Sequence, residues 1–497
     1  MRDVLWHGRD VLAALKPHLS NAPQGDLDDN WQACGLAIDT RDLISGDIFV
    51  ALPGAQAHGH DYVAQAFQQG AVADLVGADF DASDIADDAM PLADDVVLLA
   101  VDDVLAALET LARAARQRSQ AHIIAITGSV GKTGTKTSLA NALAKSGTVH
   151  AAERSFNNHI GVPLTLARLP AGAEYGIFEL GMNHAGEIAA LVDMVRPHCA
   201  IITTIAAAHI ENFASMKALA AAKAEILGGV EAGGTAILPF DNAYFDMLAE
   251  QAAHHKLRVL SFSADGQAEA DNYVTRAKLH AACSCVTATI NAQPVTYKIG
   301  APGVHLVANS LAVLSAVENA GADLALAALS LAEHDGMAGR GARIRLGDDT
   351  ASITLIDESY NANPTSMAAA LQTLGLAPRI NKGRRIAVLG DMAELGEDAP
   401  QLHAAIADKV EAADIDLVIS CGALMNNLNK ALPPGRIGVH VNDHAAALDI
   451  LRDELRSDDV VMVKGSNASR MGLVVDGLIE ALSDMHQEDT PQKKEAR

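Results

Sequence analysis

The chain has 497 residues, 49% of them apolar and 20% charged, with 37 Lys and Arg set against 62 Asp and Glu for a formal net charge of −25. That much hydrophobic material excludes wholesale disorder and, at this length, suggests about three domains. So acidic a chain does not hold nucleic acid or anionic lipid by bulk attraction, and an anionic ligand needs a local cluster of Lys, Arg, backbone N–H groups or metal. The N-terminus lacks the apolar core of a signal peptide, and no stretch approaches the ~18 consecutive apolar residues of a membrane span. Five scattered cysteines (Cys34, Cys199, Cys283, Cys285 and Cys421) with no Cys-x-x-Cys pair fit a reducing compartment. The expectation is a cytoplasmic monomer with no nucleic-acid partner and no membrane span.

In chain order, a strand is predicted over Asp47–Leu52 after the Ser45-Gly46 turn, followed by a helix over Tyr62–Gln69 closed by Gly70. The acidic stretch from Asp79 to Asp88 reads as a solvated loop, and the helical pattern Val104–Arg118 as a connector. A buried strand His122–Thr127 then opens an alternation of short apolar strands, Gly176–Glu179 and Ala200–Thr204, with alanine-rich helices. Such alternation predicts a parallel sheet covered on both faces. A β-rich insert is expected between Leu257 and Ile299. From Gly336 the α/β pattern returns with strands at Ile353–Ile356, Ile386–Leu389, Leu417–Ser420 and Val460–Val463. The tail from Met485 is polar and expected to fray. The predicted division is 1–104, 105–334 and 335–497.

The sharpest chemical signal is Thr127-Gly-Ser-Val-Gly-Lys-Thr133, between a buried strand and a helix whose Leu139 and Leu143 share a face. Gly128, Ser129, Val130 and Gly131 allow the backbone to wrap phosphates, while Lys132 reaches the β/γ-phosphates and Thr133 can ligate Mg²⁺. The loop is shortened: the P-loop pattern wants Gly where Ile126 stands. At other strand ends lie Glu179 and His209, each an ordinary polar loop residue if read alone, but both beside the phosphate loop in an open α/β sheet. Lys223, on a predicted helix, reads from the sequence as a solvated lysine. Three polar strand ends in the last third, Asp357–Pro364, Gly390–Gly396 and Lys464–Arg470, suggest a second ligand surface facing the nucleotide.

These residues resemble the Mur ligase family. The shortened loop Gly128–Thr133 is the family's form, and Phe156–Pro163, Phe178–Asn183, Asp357-Glu-Ser-Tyr-Asn-Ala-Asn-Pro364, Leu389–Gly396 and Val463–Met471 are similar to its branch that joins D-alanyl-D-alanine to UDP-MurNAc-tripeptide. The resemblance covers nearly the whole chain, including Asp39-Thr-Arg41 and Gly46–Leu52. It implies an α/β fold of three domains: an N-terminal UDP-binding domain, a central P-loop-type ATPase with a mostly parallel sheet, and a C-terminal Rossmann-like domain. It also implies ATP and Mg²⁺, two ions in all, and an acyl-phosphate intermediate. By resemblance, Lys132, His209, Lys223 and Arg340 are catalytic, and Thr133, Glu179, His209 and Lys223 serve the metal, Lys223 as a carbamate. Asn309 is the adenine contact, Arg340 closes over ATP with Asp357 or Glu358, and Thr40, Arg41, Asn157, Asn158, Tyr360, Asn361, Asn363 and Lys464 bind substrate. The sequence departs from the family in Thr40, where Ser is commoner, and in an apparent insertion over Asp79–Asp95. A sibling such as folylpolyglutamate synthetase, and a non-catalytic UDP-sugar-binding protein, are the alternatives.

Overall fold

A computed structural model describes residues 2–20, 29–54, 57–81, 97–333, 336–347 and 352–488. Most of the predicted acidic loop and insertion, and the tail beyond 488, lie outside the described residues. Residues 485–488, expected to belong to a frayed tail, instead continue the helix Gly472–Glu488.

Three main sheets organise the chain. The first is fully parallel, with strands Gly35–Ala37, Asp47–Val50, Ala73–Gly77 and Val97–Val101 in sequence order. The second has nine strands. His122–Thr127 lies third from one edge, between Cys199–Ile202 and Tyr175–Glu179, both parallel to it. All of its residues from Ile123 to Thr127 are buried, which is why an unbroken apolar run reads as a strand. The predicted β-rich insert is not separate: Asn272–Leu279, Ser284–Ile290 and Gln293–Ile299 extend one edge of this same sheet, the first pairing parallel with Arg258–Ser263 and the three pairing antiparallel with one another. The third sheet has six strands in the order Ala342–Gly347, Ser352–Glu358, Val460–Lys464, Arg385–Gly390, Leu417–Cys421 and Ile437–Val441, all parallel except the first.

The helix Val104–Arg118 has the predicted bounds but is more than a connector. Asp103 caps it by accepting from the N–H groups of Leu105 and Ala106, and its Leu108, Leu111, Ala112 and Ala115 are buried. They enter one hydrophobic cluster that runs from Trp6, in a short separate strand pair, and Ile48, in the first sheet, to Phe178, Leu191 and Leu238 around the second. The Trp6 indole N–H donates to the Ala167 carbonyl at 2.9 Å across the same boundary. The predicted helix over Tyr62–Gln69 begins earlier, as a tight turn Gly59–Tyr62, and continues as Val63–Gln68. The third sheet packs its two faces into clusters of its own.

Candidate active site

A cavity of about 610 Å³ lies between the second and third sheets. One wall is the phosphate loop. Gly128, just behind that wall, has φ +151°, and a Cβ there would come within 1.9 Å of Thr203 Oγ1, so only glycine lets the strand and loop pack. Thr203 Oγ1 donates to the Val130 carbonyl at 2.6 Å, and Ser129 Oγ donates to the Ala206 carbonyl at 2.7 Å, which fixes the loop against the neighbouring strand end. Ser129, Val130, Gly131, Lys132 and Thr133 all line the cavity. The Lys132 ammonium donates to the Gly128 carbonyl at 2.8 Å. Burial pushes its pKa down, with Glu179 pulling it up and Arg340 adding to the depression. Asn309, on the helix Val304–Asn319, lays its carboxamide against Gly131.

Glu179 ends its strand 4% exposed. Its Oε1 accepts from Asn157 Nδ2 at 2.7 Å, while Oε2 is buried with no partner among the described residues. Thr133 Oγ1 lies 3.0 Å from Ser155 Oγ, which also accepts from Arg340 at 3.2 Å. His209, held at φ 58°, brings an imidazole to the same cavity. Burial lowers its pKa against the upward pull of Glu394. The Thr133 hydroxyl and the Glu179 carboxylate suit Mg²⁺, with the His209 imidazole a softer donor beside them, and the orphaned Glu179 oxygen is a ligand atom in waiting. No three His, Cys, Asp or Glu side chains cluster as a cage among the described residues. A cation here would therefore fill its shell with phosphate oxygens and water, as Mg²⁺ commonly does.

Lys223 overturns the solvated reading. It sits on the helix Met216–Ala224, 1% exposed, and desolvation first, then Lys132, holds its pKa well below the ordinary lysine value. It lies behind the wall of the cavity rather than on it.

The third sheet supplies the facing wall. The Arg340 guanidinium stacks 3.9 Å from the centre of the Tyr360 ring. Glu358, not Asp357, lines the cavity. Asp357 is spent locally: it accepts from the Gly339 N–H at 2.6 Å and from Ser359 Oγ at 2.6 Å, shaping the turn that carries Arg340. Lys464, 2% exposed, donates to Glu358 at 3.1 Å and to the Asn361 carbonyl at 3.0 Å. Asn363 lines the cavity but also caps the helix Pro364–Gly375, accepting from the Ser366 N–H at 2.9 Å.

Three predicted substrate residues lie outside this cavity. Asn158 accepts from the Ile160 and Gly161 N–H groups, opening the helix Gly161–Ala167. Thr40 is buried, with its hydroxyl 3.3 Å from Gln65, and Arg41 is exposed beside Asp39. Their turn is tied to the site by Asp42, which pairs with Arg154 at 3.1 Å. Three groups escaped the sequence reading. Glu394 meets His209. His305 lines the nucleotide wall. Lys136, 1% exposed, donates to the Ala152 and Arg154 carbonyls at 2.5 and 2.9 Å and so holds the loop of Ser155 and Asn157. Lys136 falls on the same helix face as Lys132, four residues on, which was the available signal.

A phosphate loop on one α/β sheet, faced by a carboxylate, lysine and arginine rim on another, defines a nucleotide-dependent enzyme whose site is completed between two bodies of the chain. The chain belongs to the Mur ligase family. Family models match as the Mur ligase middle domain over residues 126–317, the Mur ligase glutamate ligase domain over 342–467, and the Mur ligase family catalytic domain over 33–116. The chain is 36% identical over 446 residues to the UDP-N-acetylmuramoyl-tripeptide–D-alanyl-D-alanine ligase of Escherichia coli (strain K12), covering 89% of this chain and 93% of that one. Among solved structures, MurF from Acinetobacter baumannii superposes with a TM-score of 0.79 at 27% identity, covering 96% of this chain and 99% of that one. MurF from Thermotoga maritima, solved with ADP, shares the fold with a TM-score of 0.72 at 22% identity, covering 91% and 98%. No helix of the described residues is long and apolar enough to cross a membrane.

Proposed function

We propose that this chain is an ATP-dependent, ADP-forming ligase that joins D-alanyl-D-alanine to UDP-MurNAc-tripeptide, giving the pentapeptide precursor of peptidoglycan. The observation that carries the reading is the single cavity walled both by the phosphate loop and by Arg340, Glu358, Tyr360 and Lys464. Similarity to the E. coli ligase over most of both chains supports the choice of substrates.

A carboxylate is a poor acyl donor because attack on it must expel oxide. Transfer of the ATP γ-phosphoryl group to the tripeptide carboxylate makes a mixed anhydride whose leaving group is phosphate. The amine of D-alanyl-D-alanine then attacks the acyl carbon, forming the amide and releasing phosphate. The chief obstacle is the repulsion of two anions, which Lys132 and Arg340 offset from either side. Thr133, Glu179 and His209 are the residues that would hold Mg²⁺, which would supply further screening. Lys223, which the resemblance makes the carbamate that would hold a second ion, has its pKa lowered by burial, and the neutral amine is the form that adds carbon dioxide. Asn309 takes the adenine, Thr40 and Arg41 the uridine nucleotide, and Asn157, Tyr360, Asn361, Asn363 and Lys464 the reacting ends. The division 1–104, 105–334 and 335–497 assigns these roles to a UDP-binding, an ATP-binding and a closing body. No Ser or Cys acts as a covalent nucleophile.

The test is phosphate release from Mg-ATP with UDP-MurNAc-tripeptide and D-alanyl-D-alanine added singly and together. Release that needs both, with a pentapeptide-sized product by mass, is expected. Nucleotide binding without release would favour a sensor, and release with a different acceptor would favour a sibling ligase.

A further inference from the structure

We infer that Glu394 is a positioning residue for His209: it fixes the imidazole for metal binding, and only when the third sheet is docked on the second. The inference rests on the proposed role of His209 as a metal ligand.

His209 and Glu394 come from different bodies of the chain. His209 follows the strand Cys199–Ile202 and precedes the turn Ile210–Asn212. Glu394 stands in the loop after the strand Arg385–Gly390. The Glu394 carboxylate is in ion-pair contact with Nδ1 of His209, without hydrogen-bond geometry, and Nδ1 has no hydrogen-bond partner among the described residues. The two loops also touch through their backbones: the Glu211 N–H points to the Glu394 carbonyl at 3.4 Å, and Gly396 lies against Glu211. Both residues are held in the left-handed region, His209 at φ 58° and Glu394 at φ 60°. That conformation is less favourable for residues with a Cβ.

The chemistry follows from the ring having two different nitrogens. A carboxylate on Nδ1 selects the tautomer with the proton there and leaves the Nε2 lone pair free for a cation. It also stops the ring from turning, and carboxylates in this relation raise the basicity of the ligating nitrogen. Since the carboxylate arrives with the third sheet, an open molecule has the histidine but not its orientation. Metal affinity is thereby tied to closure, over and above the phosphates that ATP itself brings.

The test titrates Mn²⁺ as the probe into full-length protein with a non-hydrolysable ATP analogue. Free Mn²⁺ is read by its paramagnetic resonance signal for the wild type, Glu394→Gln, His209→Asn and the double variant. Glu394 is part-exposed and Gln keeps its shape, so the fold should hold, which a thermal melt checks. The expected result is that Glu394→Gln weakens one Mn²⁺ site by about 10- to 100-fold, that His209→Asn weakens the same site, and that the double variant is no worse than His209→Asn alone. Wild-type binding in Glu394→Gln, with loss in His209→Asn, overturns this inference and leaves the proposed function standing. An equal further loss when Glu394→Gln is added to His209→Asn also overturns it, because Glu394 then acts by another route. Unchanged binding in His209→Asn removes the metal role of His209 and this inference with it.

Discussion

Asp74 is buried within the strand Ala73–Gly77, and neither of its carboxylate oxygens has a partner among the described residues. Burial pushes its pKa from the ordinary aspartate range up to about 8. The folded chain therefore keeps this proton over a range in which the unfolded chain has lost it. The stability this group contributes is fully present at low pH and is lost as pH rises from about 4 to about 8, with a slope of at most about 1.4 kcal/mol per pH unit. Asp74→Asn, which stays neutral throughout, should match the wild type in urea midpoint near pH 4 and exceed it near pH 8. Parallel curves would show that the carboxyl ionises without cost. Lys132 makes the opposite bargain. Lys132→Met should lower ATP-dependent phosphate release by about 10²–10³-fold, the usual loss of one preorganised charge-stabilising donor. The same variant should melt no lower than the wild type, since burial already disfavours the ammonium. Loss of activity together with loss of folding would mean that the bond to the Gly128 carbonyl is structural. The loop glycines, Lys132 and Thr133 were legible in the sequence because their chemistry depends on local spacing. Lys223 and Lys136 were not, because an alanine-rich helix gives no local sign of which face meets solvent. Glu394 was visible as part of a motif, but its partner lies 185 positions earlier, and only tertiary packing brings the two together.

Among the elements, the helix Pro364–Gly375 joins fold and site. Asn363 closes a capping box with Ser366 at its start, and the same side chain lines the cavity. Loss of a cap typically costs about 1 kcal/mol. Asn363→Ala should therefore lower the melting temperature of the C-terminal body by roughly 2–4 °C, whereas Asn363→Ser, which can still cap, should not. If phosphate release falls equally in both, the carboxamide binds substrate. If it falls only with Ala, its role is the cap. The legibility of elements has a similar physical basis. Strands apolar on both sides, such as His122–Thr127, stand out in sequence, and Val104–Arg118 stands out by its helical period. Edge strands escaped. Ala342–Gly347 alternates Arg343 and Arg345 with apolar residues, and Ile437–Val441 carries Gly438 and His440, so neither forms an apolar run.

At the scale of the molecule, three sheets do not make three independent cores. The main cluster of the first sheet is continuous with that of the second, through Trp6, Leu108 and Phe178. Only a small group around Phe49 and Val63 belongs to the first sheet alone. The two clusters of the third sheet contain no residue before Ile344. Across the remaining boundary the contacts are mostly polar: Arg340 to Ser155 at 3.2 Å, Arg343 to the Ala281 carbonyl at 2.6 Å, and Glu394 to His209. A boundary of that kind favours relative motion, while a shared apolar core opposes it. Calorimetry of the free chain should accordingly show two transitions, one for residues before about 334 and one for those after. An ATP analogue gripped from both sides binds only the docked form, so at saturation it should raise the weaker transition and draw the two together. Each hundredfold excess of ligand over its dissociation constant is worth about 2.7 kcal/mol in this respect. Three transitions would mean that the first sheet folds without the second. Two transitions that stay apart at saturating nucleotide would mean that the third sheet does not hold the nucleotide, and that closure must await the second substrate.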